Sequence, residues 1–211
     1  MAIVLSSSFC IAQDTLNRLD KTNCKFGYWK VYKEYNGKKV FVEEGNFVNN
    51  RKSGLWVEYY HDGSVKSKIN FTDGRPDGSY STFYNNGILK EEGVWKREWG
   101  VKKQIQYYES GKIKSIFEKG VLNGAGIERR EFYENGNLKF ESWGDTLTIN
   151  YYQNGNRKSL NRYHNGVING EQITYYLTEE VATKLNYVNS KRHGVFFIYY
   201  ENGSLAYTGE Y

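Results

Sequence analysis

The sequence predicts an all-β protein, an elongated single-layer antiparallel meander of β-hairpin repeats. Three observations carry this expectation. A phrase of two adjacent aromatic residues, two intervening residues and a glycine recurs along the chain. It reads YYHDG from Tyr59, FYNNG from Phe83, YYESG from Tyr107, FYENG from Phe132, YYQNG from Tyr151 and YYENG from Tyr199, and a seventh copy, YYLTE from Tyr175, carries Glu179 where the others carry glycine. The phrase glycines Gly63, Gly87, Gly111, Gly136, Gly155 and Gly203 are spaced by 24, 24, 25, 19 and 48 residues, and the last gap holds the Glu179 copy. A fixed period of this size marks an array of stacked supersecondary units, here of about 24 residues each. The third observation is compositional: 20 Tyr, 11 Phe and 5 Trp stand with 22 Gly and one Pro in 211 residues. Aromatic rings suit a pleated, half-exposed surface, where one side of the ring is buried and its polar end stays wet.

The chain begins MAIVLSSSFCIAQD, an apolar run followed by small residues at Cys10 and Ala12. That pattern resembles the core and cleavage site of a secretory signal, so residues 1–12 are expected to be a signal peptide, cut before Gln13. Phe9 before Cys10 speaks against a lipid-modified cysteine. The expected location is therefore exported, in the periplasm, cell envelope or medium; if these residues instead form a buried first strand or helix, the chain is cytoplasmic. Residues 13–26 form an N-terminal segment, and residues 27–211 the repeat array, opened by a looser copy, KEYNGKKV, from Lys33. Cleavage leaves Cys24 alone, which excludes a disulfide framework.

Within a repeat, the residues before the phrase glycine form a strand-length run rich in β-formers, such as LWVEYY from Leu55 and VFFIYY from Val195. Asn, Asp or Ser followed by Gly then supplies the left-handed backbone of a tight turn, expected to be a two-residue hairpin. The run after the turn, ILKEEGVW from Ile88 or KIKSIFEK from Lys112, forms the returning strand. It ends in a second turn marked by runs such as TDGRPDG ending at Gly78 and HNGVING ending at Gly170. Up strand and down strand alternate eight times, and neighbouring repeats are set roughly 10 Å apart, two inter-strand spacings. An irregular hairpin or bend is expected where Glu179 replaces glycine and where the spacing falls to 19 residues.

The phrase YYxNGxLK followed by a DGxxxG-like turn resembles the MORN-repeat variant of bacterial proteins of the YwqK type, over about residues 27–211. The resemblance implies a hairpin-repeat scaffold; some members carry antitoxin or membrane-associated labels, which makes an antitoxin-like or immunity-like inhibitor one expectation.

Residues that could carry chemistry are scattered. His61, His164 and His193 fall at turn tips, where polar side chains are solvated. Adjacent acids such as Glu43 and Glu44, or Glu91 and Glu92, point to opposite faces of a strand and cannot act as a pair through adjacency. No Cys or His cluster has metal-ligand spacing, and the glycines do not open a helix as a phosphate cradle requires. The expectation is a protein that is not an enzyme and takes no cofactor and no metal. A formal net charge of +5 is mild for this length and gives no case for nucleic acid.

What remains is the surface. Three residues beyond the phrase glycine stand Lys66, Lys90, Lys114, Lys139 and Lys158. In a two-residue hairpin each would face the first aromatic of its phrase, pairing with Tyr59, Phe83, Tyr107, Phe132 and Tyr151 in cation-π contacts. Such a row can simply shield the strands from a second sheet. It can also form a basic, aromatic track for a partner. The function expected first is an exported scaffold for protein-protein interaction; the alternatives are an envelope glycan or anionic-lipid binder at a membrane surface, and the antitoxin-like role.

Overall fold

The computed structural model describes residues 16–98, 100–119 and 127–211. The signal peptide expected over residues 1–12, with Cys10 and Ala12, lies outside them. Among the described residues every regular element is a β-strand and every ladder between strands is antiparallel. The chain divides into two compact units, residues 1–78 and 79–211.

The first unit holds β1 (Arg18–Leu19), β2 (Lys25–Tyr35), β3 (Lys38–Val48), β4 (Arg51–Tyr59) and β5 (Val65–Thr72), each paired to the next. The short β1 is extended by Asn17, whose side-chain amide donates to the Lys30 carbonyl at 3.1 Å while its oxygen accepts from the Lys30 N–H at 2.8 Å. One side chain thus imitates a strand partner and satisfies part of the β2 edge, which would otherwise invite foreign pairing. Trp56 on β4 is 1% exposed and is the centre of this unit's packing. Its indole lies flat on Gly45 of β3, so close that a Cβ there would come within 2.6 Å of three ring atoms. Its Nε1–H donates to the Asn46 carbonyl at 2.9 Å, and the Phe47 ring meets it edge-on. A single sheet offers no second layer to cover a large ring, so the ring folds onto a neighbouring glycine instead.

β6 (Arg75–Phe83) runs from the end of the first unit into the second. The second unit continues with β7 (Leu89–Lys96), β8 (Gly100–Tyr107), β9 (Ile113–Lys119), β10 (Ile127–Phe132), β11 (Leu138–Trp143), β12 (Leu147–Tyr151), β13 (Arg157–His164), β14 (Val167–Tyr175) and β15 (Val181–Val188). From β7 to β15 each strand pairs with the next; β16 (Lys191–Arg192) and β17 (Val195–Tyr199) both pair β15, and β18 (Leu205–Glu210) pairs β17. The aromatic-on-glycine device recurs here. Tyr80 lies against Gly93, and Phe196 lies on its cross-strand partner Gly209. Equivalent pairs in other hairpins are Gln104 with Phe117, Thr148 with Asn161 and Gln172 with Leu185, so a bulky ring never faces another at this level.

The turn at the phrase glycine is a three-residue loop, not the two-residue hairpin expected from its Asn-Gly. In the Gly63 copy, the Tyr60 N–H donates to the Ser64 carbonyl at 2.8 Å and the Gly63 N–H donates to the Tyr60 carbonyl at 3.0 Å. Glycine ends the loop in the left-handed region, with φ of 89° at Gly63 and 83° at Gly87. An Asn or Asp side chain before it accepts from the backbone two residues on, as Asp62 does from Ser64 and Asn135 from Asn137. Two-residue turns lie at the opposite ends of the strands, at Asn49-Asn50, Asp73-Gly74 and Asn165-Gly166, and at Asn36-Gly37 of the looser copy; both residues of each have positive φ.

Neither irregularity expected from the sequence is present. Glu179 takes φ 72° and its N–H donates to the Tyr176 carbonyl at 3.0 Å, repeating the glycine loops. The shortened repeat keeps an unshifted ladder between β11 and β12, closed by residues 144–146; these strands have 6 and 5 residues where β5 and β6 have 8 and 9, so the missing residues come out of the strands and not out of the turn.

Candidate functional site

The lysine row has a backbone cause. In each phrase the first aromatic pairs the residue two after the glycine, and the residue before it pairs the residue four after. Tyr59 faces Val65 while Glu58 faces Ser67, and the same shift occurs at Tyr107, Phe132 and Tyr151. The residue left between is the extra residue of a β-bulge: Lys66, Lys114, Lys139 and Lys158. In the Tyr175 and Tyr199 copies Ala182 and Ala206 occupy that place, so the row stops there.

The bulge also changes what each lysine touches. The expected partners were the first aromatics, but the ammonium groups lie over the second: Lys90 on Tyr84 at 5.6 Å, Lys114 on Tyr108 at 5.8 Å, Lys139 on Tyr133 at 6.0 Å and Lys158 on Tyr152 at 5.6 Å. The extra residue rotates the following side chains by one position, which the two-residue register did not allow for.

The first aromatics have a different employment. Tyr59 donates its hydroxyl to Glu44 at 2.5 Å, Tyr107 to Glu92 at 2.7 Å, and Tyr151 to Glu141. Desolvation by the neighbouring strands, then the hydrogen bond and charge of the carboxylate, push the phenols of Tyr59 and Tyr107 up to about 12. Tyr80, bonded to Glu91 at 2.8 Å, and Tyr151 are raised for the same reasons in the same order. Phe83 and Phe132 hold the corresponding place without a hydroxyl. As the alternation requires, Glu43 and Glu44 serve opposite faces: Glu43 pairs with Lys52 at 2.6 Å, and Glu44 with Tyr59.

The second tyrosines link one repeat to the next. Each donates its hydroxyl to the main-chain oxygen of the first aromatic in the following phrase: Tyr84 to Tyr107 at 2.8 Å, Tyr108 to Phe132 at 2.7 Å, Tyr133 to Tyr151 at 2.9 Å, Tyr152 to Tyr175 at 2.9 Å and Tyr176 to Tyr199 at 2.8 Å. The sequence-based expectation placed these rings on a half-exposed strand surface and did not include the ladder. The signal was present, since the second position is Tyr in all seven copies while the first is Tyr or Phe. It also passed over Gly45, Gly93 and Gly209, which lie outside the turns and make room for rings.

Charge is not evenly balanced along the row. Lys66 lies 3.7 Å from Glu58 and Lys139 lies 3.7 Å from Glu131. The positions equivalent to those acids beside Lys114 and Lys158 are Gln106 and Asn150, and neither lysine forms an ion pair among the described residues. A cleft of about 280 Å³ in the first unit is lined by Lys33, Lys66, Glu43 and Glu58, two cations against two carboxylates, with His61 at its rim stacked on Tyr35. Among the described residues no group of three or more His, Cys, Asp or Glu side chains could hold a metal ion, and Cys24 is a free thiol. No described helix is long and apolar enough to cross a membrane.

A family model described as the MORN repeat variant matches residues 52–73, 76–97, 101–118, 126–142 and 192–211. The first of these covers the β4–β5 hairpin, and the last covers β17 and β18. The chain is thus similar to that family in its repeat, and it is a hairpin-repeat scaffold. No curated protein matches it.

Proposed function

We propose that this array of hairpins similar to the MORN repeat variant is an exported, non-enzymatic scaffold that binds a protein partner across the face bearing the lysine row. The observation that carries the reading is the regular placement of Lys90, Lys114 and Lys158, each held over a tyrosine ring and, among the described residues, in none of the ion pairs. Cations kept on one face by a repeated bulge form a surface with a fixed pitch, and stacked repeats commonly offer such extended surfaces to partners. Export rests on the apolar run and small residues of positions 1–12, and predicts a mature chain beginning at Gln13. The absence of catalysis in this reading rests on the separation of His61, His164 and His193 among different turns.

The test is cross-linked capture from the producing cell, using the wild type, a Lys90→Gln/Lys114→Gln/Lys158→Gln variant and a control that replaces the exposed Lys21, Lys38 and Lys191. The reading expects one stoichiometric protein that is lost with the first variant and kept with the control. Equal loss from both means that net charge alone acts. Retention of polysaccharide or lipid instead of protein turns the assignment to an envelope binder.

A further inference from the structure

The scaffold reading leaves open what chemistry the partner presents, and one depression on the second unit supplies it. Gln106 on β8 pairs with Ser115 on β9, Ser115 with Glu131 on β10, and Glu131 with Phe140 on β11, so these four share a face. On the same face Arg129 lies two residues from Glu131. Lys114 and Lys139 reach it from the bulges of β9 and β11. Lys114, Arg129 and Lys139 together line a cavity of about 180 Å³, floored by Gln106 and Ser115.

Three cations here face a single acid. Arg129 Nη2 lies 2.7 Å from Glu131 Oε1, and Lys139 Nζ lies 3.7 Å from Glu131 Oε2. Lys114 lies over the Tyr108 ring and is in no ion pair among the described residues. The next acid along this face, Glu91, already accepts from Tyr80 at 2.8 Å and Gln106 at 3.1 Å. The site therefore keeps an excess of two positive charges, whereas the cleft around Lys66 and Glu58 is balanced. Repeat logic makes the contrast exact in position: Glu58 and Glu131 each stand five residues before their phrase glycine.

Building on the scaffold reading, we propose that this depression seats a side-chain carboxylate from an acidic segment of the protein partner. Arg129 offers further N–H groups for a carboxylate beyond the one turned to Glu131, and guanidinium matches carboxylate geometry. At the floor Ser115 donates its hydroxyl to Gln106 Oε1 at 3.0 Å and Gln106 donates one amide N–H to Glu91, which leaves the second Gln106 N–H for the carboxylate. Glu131 decides between anions: its own charge stays in the cavity, so a singly charged carboxylate is tolerated better than a doubly charged phosphate. A membrane surface would be met by a denser basic cluster than one site with a carboxylate inside it. Lys90 lies one repeat away, roughly 10 Å along the sheet. Three residues of an extended chain span about the same distance, so a segment crossing the strands can present successive acids to successive repeats.

The test titrates a labelled, end-blocked hexaglutamate peptide against the full chain, with hexalysine and phosphatidylserine vesicles as comparison probes. Arg129→Gln and Lys114→Gln/Lys139→Gln should each weaken hexaglutamate by about tenfold, the scale of a lost charge-assisted contact. Glu131→Gln should tighten it by about threefold, because the internal competitor is gone, while Glu58→Gln should change it less than twofold. A merely structural role for Glu131 would weaken binding through lost order, so the sign of that change is decisive. Equal responses to Glu131→Gln and Glu58→Gln overturn the assignment of this cavity. Binding to vesicles without binding to hexaglutamate overturns the carboxylate. In either case a protein partner captured through the lysine row would stand, which separates failure of this site from failure of the scaffold reading.

Discussion

The hydroxyl of Tyr152 donates to the main-chain oxygen of Tyr175 across 2.9 Å, joining residues 23 apart in successive phrases. Tyr175 is itself 7% exposed, so its carbonyl end is tied down where little water reaches the ring. The same bond recurs from repeat to repeat, and adds a side-chain rung to the backbone ladder.

Substitution at Tyr152 should separate ring from hydroxyl. Tyr152→Phe is expected to cost about 1 kcal/mol, the worth of one hydrogen bond. Tyr152→Ala should cost about 2–4 kcal/mol, in the range of large-to-small changes. His164, exposed beside a two-residue turn, should be near neutral as alanine. Urea denaturation of the three variants tests the order.

Gly45→Ala should be costly although its backbone is not in the left-handed region. The new methyl group would stand about 2.5 Å from the Trp56 indole, which has nowhere to move without exposing itself. Overpacking of this kind costs about 1–3 kcal/mol. The intrinsic fluorescence of Trp56 should shift toward that of exposed tryptophan; an unchanged midpoint and spectrum would show that the ring has freedom to retreat.

At Glu179 the expected change has the opposite sign. A glutamate at φ 72° bears a steric cost that glycine avoids, and every other phrase carries glycine there. Glu179→Gly should stabilise by about 0.5–1 kcal/mol, less any contribution from the 3.4 Å contact of its carboxylate with the Arg157 N–H. Thermal unfolding measures it, and a fall in the midpoint would assign that carboxylate a larger part in the loop.

Alkaline titration should reveal the half-buried phenols bonded to glutamates. Tyr59 and Tyr107 are raised to about 12, first by desolvation and then by Glu44 and Glu92. The unfolded chain ionises near 10 and the native chain near 12, so their contribution to stability is complete below pH 10 and is lost as pH rises from 10 to 12. Ultraviolet titration should show these groups ionising after the exposed tyrosines, and Tyr59→Phe should remove one late step. A single transition near 10 in the native protein would contradict the Tyr–Glu pairing.

Period, turn residues and aromatic content were legible in the sequence because they are local. A phrase such as YYENG fixes two strand residues and a left-handed glycine without reference to anything distant, and the hairpins follow from that. Register was not legible. The two-residue hairpin read from Asn-Gly and the three-residue loop found at Gly63 differ by one residue, and one residue decides whether Lys66 faces Tyr59 or stands at a bulge. The same blindness applied to Glu179, since a neighbouring loop can hold a non-glycine residue in a conformation that propensity disfavours.

By itself, then, the sequence determined an all-β array of hairpins, the spacing of its repeats and the residue types on its surface, all of which depend on contacts within one phrase. The tertiary structure alone decided that the second tyrosines bind the next repeat's backbone, that the first bind glutamates one strand away, and that Lys114, Arg129 and Lys139 converge on Glu131. Those relations depend on which residues stand opposite each other across strands, and cross-strand opposition is settled by bulges and loop lengths that only the assembled sheet selects.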